Sequence, residues 1–135
     1  MLDDTIIAIS TPHGHGGLGV VRLSGKEALA AAGRIFRPKE RVGRRFPARR
    51  AVFGHVCEGP DGPPLDEAFL TYFKAPRSYT GEDVVELSCH GSPAVLGEVV
   101  RLGMQAGARL AQPGEFTLRA YVNGRIDILQ AEAVN

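Results

Sequence analysis

The order of two hydrophobic rhythms constrains this chain most. Segments with strand-like alternation come in clusters, and segments with helical spacing fall between the clusters rather than after each strand. Thr5 to Ser10 (TIIAIS) is β-branched and apolar, the composition of a buried strand. Val20 to Ser24 (VVRLS) is a second strand, with Val21 and Leu23 on one face and Val20 and Arg22 on the other. Ser24-Gly25-Lys26-Glu27 has the pattern of a capping box and predicts a helix over 25–36, filled by the Ala-rich run 28–32. Three more strands are expected over 50–57, 66–73 and 84–89, the first two joined by the turn EGPDGPP at 58–64. Ser92 followed by Pro93 predicts a helix to about Gln105, ended by Gly107, with a short strand over 108–111. A last helix opens at Pro113-Gly114 and closes after Val122 at Asn123-Gly124. The order β-β-α-β-β-β-α-β-α does not supply the helix after every strand that a doubly wound parallel sheet needs. It predicts an α+β fold, a mixed β-sheet with helices packed on it.

A chain of 135 residues is one domain's worth and can bury roughly 65–70% of its unfolded surface. The formal net charge is +1, so charge alone demands no nucleic-acid partner. No run approaches the roughly 20 apolar residues of a membrane span. Met1 to Asp4 is acidic and the apolar run after it is too short for a secretory signal. The expectation is a cytoplasmic chain without membrane contact, with Cys57 and Cys89 as reduced thiols.

Several motifs compete for a function. GHGGLG at 14–19 has the spacing of a dinucleotide fingerprint, but that motif needs a helix N-terminus after it, and here a strand follows. A turn, or a glycine loop that lets a ligand or another chain come close, are the readings left. No Walker A pattern occurs, so no nucleotide phosphate can be cradled in the P-loop manner. His55, Cys57, Cys89, His90, His13 and His15 lack the paired spacings of a zinc site, so no metal is expected, and Cys89 reads as a small buried hydrophobe. Residues 37–50 read as a loop with seven basic side chains, able to touch phosphates or simply solvated.

Two carboxylate and guanidinium positions stand out. In the strand over 84–89, Val85 and Leu87 share one face and Glu86 shares the other with Val84 and Ser88. A carboxylate in a half-buried strand needs a partner. It is either half of a cross-strand salt bridge or a fixed acceptor for a planar ligand rich in donors. Glu115 and Arg119 form an i, i+4 pair that a helix alone explains. Arg125 follows the Asn-Gly stop and precedes Asp127, which with Gln130 looks like the cap of another helix, so its guanidinium projects from a corner.

Three stretches resemble one family, in the family's order. PGEFTLRAYVNGRIDILQAEAV is similar to the segment that ends the N-terminal domain of the tRNA-modification GTPases called MnmE or TrmE. TIIAISTPHGHGGLGVVRLSG resembles that family's opening, and SYTGEDVVELSCHGSP its middle motif. The resemblance implies a fold like the folate-binding domain of the glycine-cleavage aminomethyltransferases. It implies a folate-binding, dimerising domain over 1–122 and the start of a helical domain at 123–135, with the helical remainder and a Ras-like GTPase domain lying beyond. Implied ligands are 5-formyltetrahydrofolate or a related one-carbon tetrahydrofolate, with GTP, magnesium and potassium confined to the GTPase domain. Implied partners are a second copy in a homodimer, the flavoprotein MnmG (GidA) and tRNA, whose wobble uridine is modified at carbon 5. Carried over by motif, Arg22 of VVRLSG, Glu86 of GEDVVEL and Arg125 of VNGRID meet the folate. At the last position Lys is the commoner family residue, so a fork replaces a point charge. No catalysis is expected of these 135 residues by themselves. A free-standing aminomethyltransferase-like protein and an RNA-binding module working through 37–50 are the alternatives.

Overall fold

In a computed structural model, residues 3–11, 17–43 and 45–127 are described. Strands β1 (Ile6–Ile9) and β2 (Leu18–Ser24) precede helix α1 (Ala28–Ile35). Strands β3 (Phe36–Pro38), β4 (Val52–Cys57), β5 (Pro64–Phe73) and β6 (Val84–His90) follow. Helix α2 (Pro93–Gln105), strand β7 (Arg109–Leu110) and helix α3 (Glu115–Val122) complete the order. The strands form one seven-stranded sheet in the order β3-β4-β5-β6-β2-β1-β7. Every pairing is antiparallel except β1 with β7, so the sheet is mixed and the fold is α+β, as the segment order predicts.

Helices α1 and α2 cover one face. Ile7, Val21, Leu23, Leu70, Val85 and Leu87 point toward them and are essentially sealed from water. Ala28, Ala31 and Ala32 carry so little side chain that α1 lies close against the strands. Burying each of the larger aliphatic groups contributes about 1.5–3 kcal/mol, which makes this layer the main source of stability. Gly19 belongs to the same contact: a Cβ there would lie 2.4 Å from Cδ1 of Leu96 on α2. That is what the described part of the glycine loop does; its residues 12–16 lie outside the described residues.

Two local expectations need correction. The capping box at Ser24 does not form; α1 starts at Ala28 with Glu27 as its N-cap. Strand β2 extends through Ser24, and its hydroxyl donates instead to Glu82 Oε1 at 2.7 Å and pairs with Thr80 Oγ1 at 2.7 Å. Gly25, at φ +139° and with a Cβ position 2.7 Å from the Thr5 backbone, turns the chain where the box was expected to start the helix. The second correction is β3. Phe36 to Pro38 pairs with Gly54 to Val56 at the sheet edge, where the sequence read as helix end and loop. Three residues are too few for a periodic signal. Elsewhere Ser92, Pro93, Gln105 and Asn123 bound their helices as read. The helix expected after Asp127 falls outside the described residues.

Candidate functional site

The face of the sheet opposite α1 and α2 carries a different chemistry. Register places Arg22 of β2 directly across from Glu86 of β6, with Ala8 on the far side of Arg22 and Thr71 on the far side of Glu86. Arg22 donates from Nε and Nη2 to the same carboxylate oxygen, Oε2, at 2.9 and 2.8 Å. The cross-strand salt bridge that the half-buried Glu86 called for is therefore present. Small neighbours at Ala8 and Thr71 leave it partly open, and the two side chains are 24% and 25% exposed. Among the described residues, Glu86 Oε1 has no protein partner. A carboxylate has about four acceptor positions, so this one is held in place and not saturated.

Two aromatic rings wall the pair on one side. The Arg22 guanidinium carbon lies 5.3 Å from the centroid of Tyr79 and 5.6 Å from that of Phe116, within cation–π range of both. Tyr79 comes from the loop before β6 and Phe116 from α3, and the Tyr79 hydroxyl lies 3.0 Å from Thr117 Oγ1. Spacing gave no reason to link these rings to Arg22; only the packing of α3 against the loop brings them there.

Arg125 reaches the same loop next to Tyr79. Its Nε donates to the Ser78 carbonyl at 3.1 Å, while Asn123 Nδ2 donates to the Thr80 carbonyl at 2.8 Å. Gly81 makes the approach possible: its φ is +80°, and a Cβ there would sit 2.9 Å from Asn123 Cβ and 3.3 Å from Arg125 Cγ. The structure thus brings Arg22 and Glu86 into contact, and ties Arg125 to the segment that supplies Tyr79 rather than to the pair itself.

Behind this loop lies an ionic knot that sequence spacing understated. Arg119 is 1% exposed. Its Nη2 meets Asp4 Oδ1 at 3.0 Å and Glu115 Oε2 at 3.3 Å, and its Nη1 meets Glu82 Oε1 at 3.1 Å. Arg109 binds Asp4 at 2.7 Å and Glu115 at 2.6 Å from outside. The i, i+4 pair exists, yet it is one edge of a long-range network that pins α3 to the chain's start and to the loop before β6. Hydrogen bonds from Arg109, opposed by burial and aided by the Gln112 backbone N–H, hold the Glu115 carboxyl down at about 2 from an ordinary 4.5. The Arg109 hydrogen bond likewise holds Asp4 well below the usual carboxylate range.

The thiols and imidazoles do other work. Cys89 is buried on the helix-covered face, and burial pushes its thiol up to about 12, so it packs as a hydrophobe. His90 Nδ1 lies 2.7 Å from Asp66 Oδ1, and that hydrogen bond raises its pKa. Among the described residues no group of three or more His, Cys, Asp or Glu is placed to hold a metal ion.

Fold and site together define a class: an α+β module with one sheet face sealed by helices and a pre-ordered, half-open ion pair on the other. Residues 5–125 match the family model described as the GTP-binding protein TrmE N-terminus. The chain is 56% identical over 132 residues to the tRNA modification GTPase MnmE of Chloroflexus aurantiacus, covering 98% of this chain and 28% of that protein. It is 53% identical to the protein of the same name from Thermus thermophilus, over 98% of this chain and 30% of the relative. It is 52% identical to that of Koribacter versatilis, over 98% and 29%. The chain belongs to the TrmE N-terminal family, and it spans less than a third of the length of these relatives.

Proposed function

We propose that this chain is the tetrahydrofolate-binding and homodimerising part of a GTPase that, with the flavoprotein MnmG, modifies carbon 5 of the wobble uridine of tRNA. The Arg22–Glu86 pair on the open face is the observation that carries the folate reading. A reduced pterin presents a 2-amino-4-oxo edge with adjacent N–H donors. Glu86 offers Oε1 to one of them at once. To accept a second on Oε2, Arg22 gives up one of its two hydrogen bonds to that oxygen and turns a donor toward the ligand. Tyr79 and Phe116 supply flat apolar surface beside the pair for the pterin ring. Arg125, exposed and donating to the Ser78 carbonyl, supplies a cation for the anionic glutamate tail in this reading. GTP hydrolysis, with its magnesium and potassium, belongs to the part of such proteins that this chain does not span. The open sheet face, with Leu18 66% exposed and α3 showing Leu118 and Val122, is the surface available to a second copy.

Calorimetric titration of the chain with 5-formyltetrahydrofolate tests the reading. Saturable heat is expected from the wild type and none from Glu86→Ala or Arg22→Ala. Absence of heat from a folded, dimeric wild type would remove the ligand from the proposal.

A further inference from the structure

The basic residues of this chain differ in what they bind, and several, Arg37 and Arg125 among them, donate to backbone carbonyls. Arg22, Arg101, Arg109 and Arg119 each bind a carboxylate. Lys39, Arg41, Arg45 and Arg50 are all exposed and, among the described residues, form no ion pair. Those four line one cleft of about 440 Å³ beside the start of β4, with Glu40 as the one acidic residue in its lining among the described residues. In a chain of net charge +1, a concave site with four uncompensated cations and one carboxylate is a local concentration of positive potential.

The cleft opens onto aromatic surface. Phe53 is part of its lining, and Lys39 Nζ lies 5.9 Å from the Phe53 ring centroid. Across the β4–β5 ladder Phe53 sits opposite Phe69, with centroids 5.2 Å apart and planes tilted by 55°. Phe69 is 46% exposed. Cations that track a phosphate backbone, next to an exposed ring on a sheet face, are the two parts of a single-strand nucleic-acid site: phosphates take the charges and a splayed base stacks on the ring. A helical RNA segment could use the charges and leave the ring unused, because its bases are already stacked.

We infer that the cleft at Lys39, Arg41, Arg45 and Arg50, with Phe53 and Phe69 at its edge, binds an unpaired stretch of RNA. The choice of RNA over other polyanions rests on the family reading above, whose relatives act in tRNA modification by name. The cleft is lined by residues that follow β3 and by the first two residues of β4, Val52 and Phe53, and shares no lining residue with the Arg22–Glu86 pair.

The test is fluorescence anisotropy of the 135-residue chain with a labelled RNA hairpin carrying a seven-nucleotide loop, against a fully paired RNA of equal length. The wild type is expected to bind the looped RNA more tightly. The double variant Arg41→Glu, Arg45→Glu should weaken binding to both RNAs at least tenfold, and should reduce the slope of log affinity against log salt by about 1.4, two single-strand phosphate contacts. Phe69→Ala should weaken the looped RNA about fivefold or more and leave the paired one unchanged. Unchanged binding by the double variant overturns the cleft, as does equal competition by polyglutamate. Unchanged loop preference in Phe69→Ala, with a shift from dimer to monomer by light scattering, assigns that ring to a contact between copies and overturns the stacking half. Folate calorimetry on the double variant separates the two readings: retained folate heat with lost RNA binding leaves both standing. A wild type that binds RNA but no folate defeats only the folate site, and one that binds folate but no RNA defeats only the cleft.

Discussion

Arg119 and Arg22 both hold carboxylates, and the contrast between them separates a structural ion cluster from a site. Arg119 is buried and meets Asp4, Glu82 and Glu115, three acids drawn from three parts of the chain. Its own charge is more than matched, and Arg109 offsets part of the remainder from the surface. The Arg119 guanidinium itself is closed to solvent. Arg22 meets one acid through one oxygen, with a quarter of each side chain open to solvent. The first arrangement resists removal because buried charges left behind are costly. The second contributes little to folding, because a half-exposed pair is screened and gains little over hydration. What it keeps is unused acceptor capacity at a fixed position.

The sharpest way to break this contrast is Arg119→Met. Asp4, Glu82 and Glu115 would face each other without their shared cation. The expected loss is about 3 kcal/mol, the low end for a broken buried pair because Asp4 is 39% exposed. Urea unfolding measures it, and a loss under about 1 kcal/mol would mean the knot is not structural.

Acid should act on the knot next. The Glu115 carboxyl is depressed from 4.5 to about 2 in the folded chain. A depressed acid stabilises the fold above its unfolded pKa and ceases to do so as pH falls through the folded value. Melting temperature should therefore hold down to about pH 4.5 and drop between 4.5 and 2, with Asp4 adding to the fall from below. Glu115→Gln should start lower and fall less steeply over that window. A wild-type melting temperature flat from pH 5 to 2 would contradict the assignment.

The smallest stability effect is expected at the other region. Glu86→Ala should change unfolding free energy by less than about 1 kcal/mol while removing the folate heat. A loss as large as that of Arg119→Met would place Glu86 with the structural acids and leave the open face without its acceptor.

Much of this arrangement was legible along the chain. The alternation in 84–89 put Glu86 on the face away from Val85 and Leu87, and the same rule set Arg22 opposite Val21 and Leu23. The helix stops at Gly107 and Asn123-Gly124 were equally readable. The failures share a cause. Ser24 was assigned to a helix cap because its neighbours fit the pattern, yet a partner 56 residues away claimed its hydroxyl. The local pair of Arg119 with Glu115 is present, but spacing gives no sign of its further partner Asp4, 115 residues away. Local rules account for local partners, and polar side chains go to whichever acceptor the fold delivers.

The sequence by itself determined the class of fold, the sealed face of the sheet, and the side on which each charged strand residue stands, because backbone periodicity fixes those before any packing occurs. Only the tertiary structure decided which charges are neutralised. That depends on strand register, which set Arg22 against Glu86, and on the docking of α3, which enclosed Arg119 among three acids; Lys39, Arg41, Arg45 and Arg50, lining a cleft elsewhere, form no ion pair among the described residues. Coulomb interactions fade within about 10 Å of screened solvent, so a charge's role is set by neighbours in space, and the order of residues does not name them.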